Sequence, residues 1–294
     1  MKHLHFPMAS LSPRSWGHGA LKDEKAMQAA VLLGYRHLDT AQGYGNERRV
    51  GEDVRTCGLS RKGMFVNTKL EAAIKSYDAA AATINDSLKV MGLDYIDLML
   101  IHSPQPWTDF RSGNHFFEGN LEAWCALEDV YNAGKLRAIG VSSFEQTDLD
   151  NILHYCSVPP MVNQILAHVS NTPFDLIEYS RHKGILVEAY CPVAHGELLK
   201  NESVSNMAAR YGASTVQLGI RYCLQLGMLP LPKTANPEHM RANAAMDFTI
   251  SAEDMEPLKN IDRINNYGES SLFPVYGGKM NADGSCTPRD SFAD

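Results

Sequence analysis

The sequence predicts an α/β fold on a parallel sheet, a (β/α)8 barrel in preference to an open doubly wound sheet, and three observations carry that reading. Short β-type runs alternate with longer helical stretches along the chain. No GxGxxG follows an early strand, as it would in an open dinucleotide-binding sheet. The length of 294 residues suits one decorated barrel, and no linker, low-complexity tract or internal repeat divides residues 1–294 into more than a single domain. The alternation alone is common to both architectures.

Taken in order, the β-type runs are Arg36–Asp39, Met64–Lys69, Ile96–His102, Leu136–Val141, Met161–Gln164, Ile185–Ala189 and Met228–Leu231. An eighth, at about Arg14–Gly17, is expected before a helix over Asp23–Leu33. Ser76–Met91 and Leu121–Ala133 repeat apolar residues at spacings of three and four, the helical period. Gly34, Gly92, Gly134 and Gly184 fall just past helical stretches, where a left-handed cap is needed. Two segments, Ser103–Asn120 and the tail from about Asn265 to Asp294, exceed ordinary connections and suit binding loops. The first carries Trp107, Phe110, Phe116 and Phe117; the second carries Phe273, Tyr276 and Phe292.

A hydrophobic fraction of 44% and a charged fraction of 21% describe an ordinary globular chain able to bury a large core. The formal charge of -7 offers no general field for nucleic acid or an anionic membrane, so an anionic ligand needs a local basic site. No apolar run is long enough to span a bilayer, and MKHLHFPMAS lacks the apolar core of a secretory signal. A cytoplasmic monomer is expected, with no nucleic-acid or membrane partner. The 6 cysteines form no CxxC pair and read as reduced structural thiols. Nothing resembles a metal cage.

Asp39, Tyr44, Lys69 and His102 fall at or just after successive strand ends, where a barrel gathers its reactive groups. Singly they read as a helix cap, a loop tyrosine, a solvated lysine and a loop histidine. Together with their flanking segments they say more. GYRHLDTAQGYGNERRVG at 34–51 resembles the first signature of the aldo-keto reductases, and NTKL, IDLMLIHSP, GKLRAIGVSSF, MVNQ, EAYCP and LPKTANPEHMRAN resemble later signatures in the family's order.

The resemblance implies a TIM barrel that reduces an aldehyde or ketone with hydride from NADPH, NADH being the other candidate. It also implies a catalytic tetrad at Asp39, Tyr44, Lys69 and His102, with Tyr44 as proton donor. A phenol has a reference pKa near ~10 and needs help to act near neutrality. Lys69 would favour the phenolate, Asp39 would hold Lys69, and His102 would orient the carbonyl or share its proton. Ser142 and Gln164 would bind the nicotinamide carboxamide, and Tyr190 would stack on the ring. Lys233, Thr234 and His239 would meet the adenosine 2′-phosphate, and Asn243 the adenine. Trp107, Phe117 and Tyr276 would form an apolar wall suited to aromatic or medium-chain carbonyl substrates.

Three departures from the family pattern stand out. Ser143 replaces the usual Asn after Ser142, and His239 stands where Arg is usual, which weakens strict NADPH preference. Gly17-His18-Gly19 replaces a Gly-Thr-aromatic ending of the first strand. The rival readings are a non-catalytic cofactor-binding subunit of the same fold and a metal-dependent barrel hydrolase. The full tetrad argues against the first; the 11 scattered histidines argue against the second.

Overall fold

Seven short apolar runs lie side by side in chain order. In the computed structural model, which describes residues 24–288, they are β1 (His37–Asp39), β2 (Phe65–Leu70), β3 (Leu98–Ile101), β4 (Ile139–Ser142), β5 (Val162–Leu166), β6 (Leu186–Tyr190) and β7 (Leu229–Leu231). Every pairing among them is parallel and sequential, which curls the sheet into a nearly closed TIM barrel. All seven expected strands are present. The expected eighth, Arg14–Gly17, and Gly17-His18-Gly19 lie outside the described residues.

Around the barrel run α1 (Glu24–Leu32), α2 (Glu47–Thr56), α3 (Tyr77–Met91), α4 (Phe117–Asn132), α5 (Gln146–Tyr155), α6 (Phe174–His182), α7 (Glu202–Arg210), α8 (Thr215–Gln225), α9 (Pro237–Ala244) and α10 (Ala252–Lys259). The tail adds 3-10 turns and an antiparallel hairpin of β8 (Gly278–Met280) and β9 (Cys286–Pro288). Gly92 shows why α3 stops: at φ 64° its N–H closes on the Leu88 and Lys89 carbonyls, a conformation a Cβ disfavours. Gly34, Gly134 and Gly184 also have positive φ, as the sequence predicts.

Successive strand residues point to opposite faces of a sheet. On β3, Leu98 and Leu100 turn to the barrel interior with Val162, whereas Met99 and Ile101 join Val66, Leu70 and Val141 against the helical layer. Burying a leucine this completely is worth about 1.5–3 kcal/mol. The same parity sends Asp39, Lys69, Gln164 and Glu188 inward, near the C-terminal ends of their strands. The interior is therefore apolar toward one end and polar toward the other. Gly140 on β4 has no space for a side chain, since a Cβ there would lie 2.5 Å from the Val162 carbonyl oxygen.

His37 is an exception at the apolar end of the interior, because it is polar, buried and packed edge-on against Phe65 at 4.8 Å. Its Nε2 has no hydrogen-bond partner among the described residues. Burial, aided by Lys69 and opposed by Asp39 and Asp97, pushes its pKa down to about 4. The folded state therefore refuses a proton that the unfolded chain accepts below ~6.5. The resulting stability is full above that pH and is lost as pH falls toward the folded value. Burial of Glu188, whose pKa rises to about 7, acts with the opposite sign over the same window. Urea denaturation at pH 7.5 and pH 5 isolates the histidine: His37→Leu should reduce the loss of stability on acidification by about 2 kcal/mol relative to wild type. An identical loss in both proteins would show that His37 takes up its proton in the folded state.

Candidate active site

The chain leaves β1 at Asp39 and turns back at once through a 3-10 turn, Gln42–Tyr44. Gln42 pins the turn, its Nε2 donating to the Thr83 carbonyl and Ser87 hydroxyl and its Oε1 accepting from the Glu71 N–H. Thr40 adds a 2.6 Å hydrogen bond to Asn46 Oδ1. The result is that Tyr44 is set over the interior end of β2.

Lys69 reaches the same place from β2. Its ammonium donates to both Asp39 carboxylate oxygens at 2.8 Å and to the Thr40 carbonyl at 2.9 Å. Asp39 Oδ1 also accepts from Asn67 Nδ2 at 2.6 Å and Gln164 Nε2 at 2.9 Å. Burial by itself lowers the Lys69 pKa, but Asp39, Tyr44 and Glu188 more than reverse this and raise it, so the lysine remains charged. Its Nζ lies 5.3 Å from the centre of the Tyr44 ring. The bias toward phenolate expected from Lys69 is present, but the cost of burying the anion is larger and the Tyr44 pKa is raised overall. Tyr44 is a phenol at neutral pH.

His102 follows β3 directly, and its ring meets Tyr44 edge-on at 5.7 Å and Trp107 at 5.2 Å. Burial, then Lys69 and Lys75, hold its pKa well below the usual imidazole range. It is neutral, with Nδ1 buried and unpartnered among the described residues. Lys75 was not singled out by the sequence. Its Nζ donates at 2.8 Å to both the Ser103 carbonyl and Asn120 Oδ1, joining the two ends of the long loop. Burial lowers its pKa to about 7.

Ser142 ends β4 beside Gln164 on β5, its register partner. Gln164 Nε2 donates to Asp39 Oδ1 and to Glu188 Oε2, both at 2.9 Å. Glu188 escapes notice in the sequence, although it lies two residues before Tyr190 and therefore on the same face of β6. Tyr190 approaches Ser143 Oγ at 3.3 Å, and Ser143 adopts a positive φ of 61°. Arg111 of the long loop donates to the Ser143 carbonyl at 3.0 Å. After β7 come Lys233 and Thr234, then α9, on whose exposed first turn His239 stands. Pro237 has no N–H, and the Glu238 N–H is taken by Asn236 Oδ1 at 2.8 Å. An anion here would depend on side chains more than on the helix terminus. Asn243 is half-buried near the end of α9.

Two of the three residues expected to line an apolar wall, Trp107 and Tyr276, share a neighbour in Phe273. Trp107 packs on Phe273 at 5.0 Å and on Phe110 at 5.5 Å, bringing loop and tail together beside His102. Tyr276 contacts Phe273 and shares a 2.9 Å hydrogen bond with Cys191 Sγ. Phe117 is exposed and stacks on His115. Among the described residues no cluster of His, Cys, Asp and Glu could hold a metal ion, and no helix is long and apolar enough to cross a membrane.

Comparison with known proteins identifies the family. Residues 15–263 match the Aldo/keto reductase family. The chain is 36% identical over 246 residues to an uncharacterized oxidoreductase of Bacillus subtilis, covering 82% of each chain. It is 34% identical over 245 residues to the glyoxal reductase of the same species, covering 83% of this chain and 85% of the relative. An aldo-keto reductase of Bombyx mori, solved in complex with NADP, superposes with a TM-score of 0.77 at 29% identity, over 92% of this chain and 94% of that one. The chain belongs to the aldo/keto reductase family. It is an NAD(P)H-dependent oxidoreductase acting on carbonyl groups.

Removing one member of a buried ion pair leaves the other without compensation, typically at a cost of about 3–5 kcal/mol. Lys69→Met should destabilise the protein by that amount in chemical denaturation, and adding Asp39→Asn should recover part of it. If the double variant is less stable than the single one by the full cost of a second independent lesion, the pair is not the unit described here.

Proposed function

We propose that this protein reduces aldehydes or ketones as a monomer, with NADPH preferred over NADH and Tyr44 as the proton donor. The observation that carries the reading is the buried Asp39–Lys69 pair, set beneath a protonated Tyr44 and beside a neutral His102. No observation favours the non-catalytic or metal-dependent alternatives.

The residues present fit a nicotinamide cofactor. Gln164, with both N–H donors taken by the Asp39 carboxylate and the Glu188 carboxyl group, keeps an oxygen for a carboxamide N–H. Ser142 supplies a hydroxyl beside it, and Tyr190, tethered through Ser143, supplies a ring face. Lys233, Thr234 and His239 would meet a 2′-phosphate, and Asn243 would meet the adenine. When bound, the cofactor supplies hydride to the carbonyl carbon. Tyr44 gives its proton to the carbonyl oxygen, and Lys69 stabilises the phenolate left behind. The neutral imidazole of His102 can hold that oxygen by a hydrogen bond. Trp107 and Tyr276 offer apolar surface to the rest of the substrate.

Tyr44→Phe removes the acid and little volume, so kcat should fall by roughly 10²–10⁴-fold while the dissociation constant of NADPH stays nearly the same. Turnover at the wild-type rate would remove Tyr44 from the chemistry. For an aromatic aldehyde, Trp107→Ala should raise KM several-fold, whereas Phe117→Ala should leave it within twofold.

Cofactor choice is tested separately, by the dissociation constants of NADPH and NADH. A guanidinium grips phosphate through paired N–H groups, whereas imidazole offers fewer donors and no permanent charge. His239→Arg should widen the preference for NADPH, and Lys233→Ala should narrow it. Equal affinity for both cofactors in all three proteins would place the phosphate elsewhere.

A further inference from the structure

The polar end of the barrel holds one carboxylic acid more than the Asp39–Lys69 pair requires. Glu188 is 1% exposed, on the interior face of β6, and its Oε2 accepts from Gln164 Nε2 at 2.9 Å. The same nitrogen donates to Asp39 Oδ1 at 2.9 Å. An amide NH2 has two hydrogens, so both are committed. A Gln164 flipped by 180° would turn its oxygen toward two acidic side chains, one of them the carboxylate paired with Lys69. The amide thus has one tenable orientation.

We infer that Glu188 is a positioning residue: it locks Gln164 so that only Oε1 is left for the cofactor carboxamide, and it adds a second acid to the polar end of the barrel beside that amide. The inference rests on the nicotinamide site proposed above. The groups facing Glu188 are Asp39 from β1, Lys69 from β2 and Gln164 from β5, while its paired residue on β7 is the apolar Leu229. With a single ammonium for two acids, a second carboxylate is uncompensated. Burial, reinforced by Asp39 and opposed by Gln164 and Lys69, accordingly brings the Glu188 pKa to about 7.

The sign of the effect follows from charge. Below the transition Glu188 is neutral and the pair is balanced. Above it, the added negative charge favours the positively charged oxidised nicotinamide over the neutral reduced one. NADP+ should therefore gain affinity relative to NADPH as pH rises. Titration of the 2′-phosphate affects both forms alike and cancels in the ratio of their affinities.

The test is to measure, by fluorescence titration at pH 6 and pH 8, the dissociation constants of NADPH, NADP+ and the nicotinamide-free fragment 2′-phospho-ADP-ribose. Wild type and Glu188→Gln are compared. In wild type the ratio of the NADPH constant to the NADP+ constant should rise roughly fivefold between the two pH values. In Glu188→Gln, which keeps the shape but cannot ionise, the ratio should rise much less, since only the more distant Lys75 then titrates in this window. The fragment should bind both proteins equally at each pH, which separates local from global disturbance. A ratio that rises equally in both proteins overturns the role of Glu188 and leaves the site intact. Wild-type protein that binds NADPH no tighter than the fragment overturns the nicotinamide site itself, and the inference with it.

Discussion

A charged lysine at the centre of a barrel is the constraint on which the rest of the site depends. Withdrawing an ammonium from water costs several kcal/mol even after relaxation, and only a close, fully hydrogen-bonded counter-charge offsets it. Lys69 meets that requirement with all three N–H donors used, two on Asp39 and one on the Thr40 carbonyl. Asp39 in turn needs more than one partner, and Asn67 and Gln164 supply hydrogen bonds from two other strands. One buried cation thereby fixes the relative positions of β1, β2 and β5. Strand parity makes this geometry available, because every member occupies an inward position of its strand.

The same cation acts at longer range. It adds to the burial that keeps His102 neutral, it draws against the burial that keeps Tyr44 protonated, and it partly offsets the burial that keeps a proton on Glu188 near neutrality. In each case desolvation is the larger effect and the charge adjusts it. A second, half-buried lysine, Lys75, does for the loop what Lys69 does for the strands. By joining Ser103 to Asn120 it sets where Trp107 leaves the barrel, and so where the aromatic wall begins.

Much of this is legible in the sequence. The seven strands follow from short apolar runs, the helix ends from glycines past a periodic stretch, and the four clustered side chains from their places at strand ends. Phe117 does not follow, because a loop sequence gives the residues near a site without their directions, and this ring turns to His115. Glu188 and Lys75 are not legible either. A glutamate inside EAYCP and a lysine before a helix look like solvated charges until the barrel closes over one and the loop folds over the other. The state of Tyr44 is hidden for a related reason: a sequence shows which charges accompany a group but not how much water it loses.

Two groups at the site could in principle give a proton to a carbonyl oxygen, and the electrostatics separate them. His102 is held neutral by burial and by the nearby Lys69 and Lys75, so it carries a single ring proton. Surrendering that proton would form an imidazolate, an anion far less accessible than a phenolate. Accepting a second proton beforehand is opposed by the very groups that neutralise the ring. Tyr44 has the opposite disposition. Its proton is retained at rest because the buried anion is costly, yet the anion formed on transfer would find the Lys69 ammonium already close. A preorganised charge of this kind requires no rearrangement at the moment of transfer. The proposed division of labour, with the phenol as acid and the imidazole as hydrogen-bond partner, thus follows from where the two lysines sit.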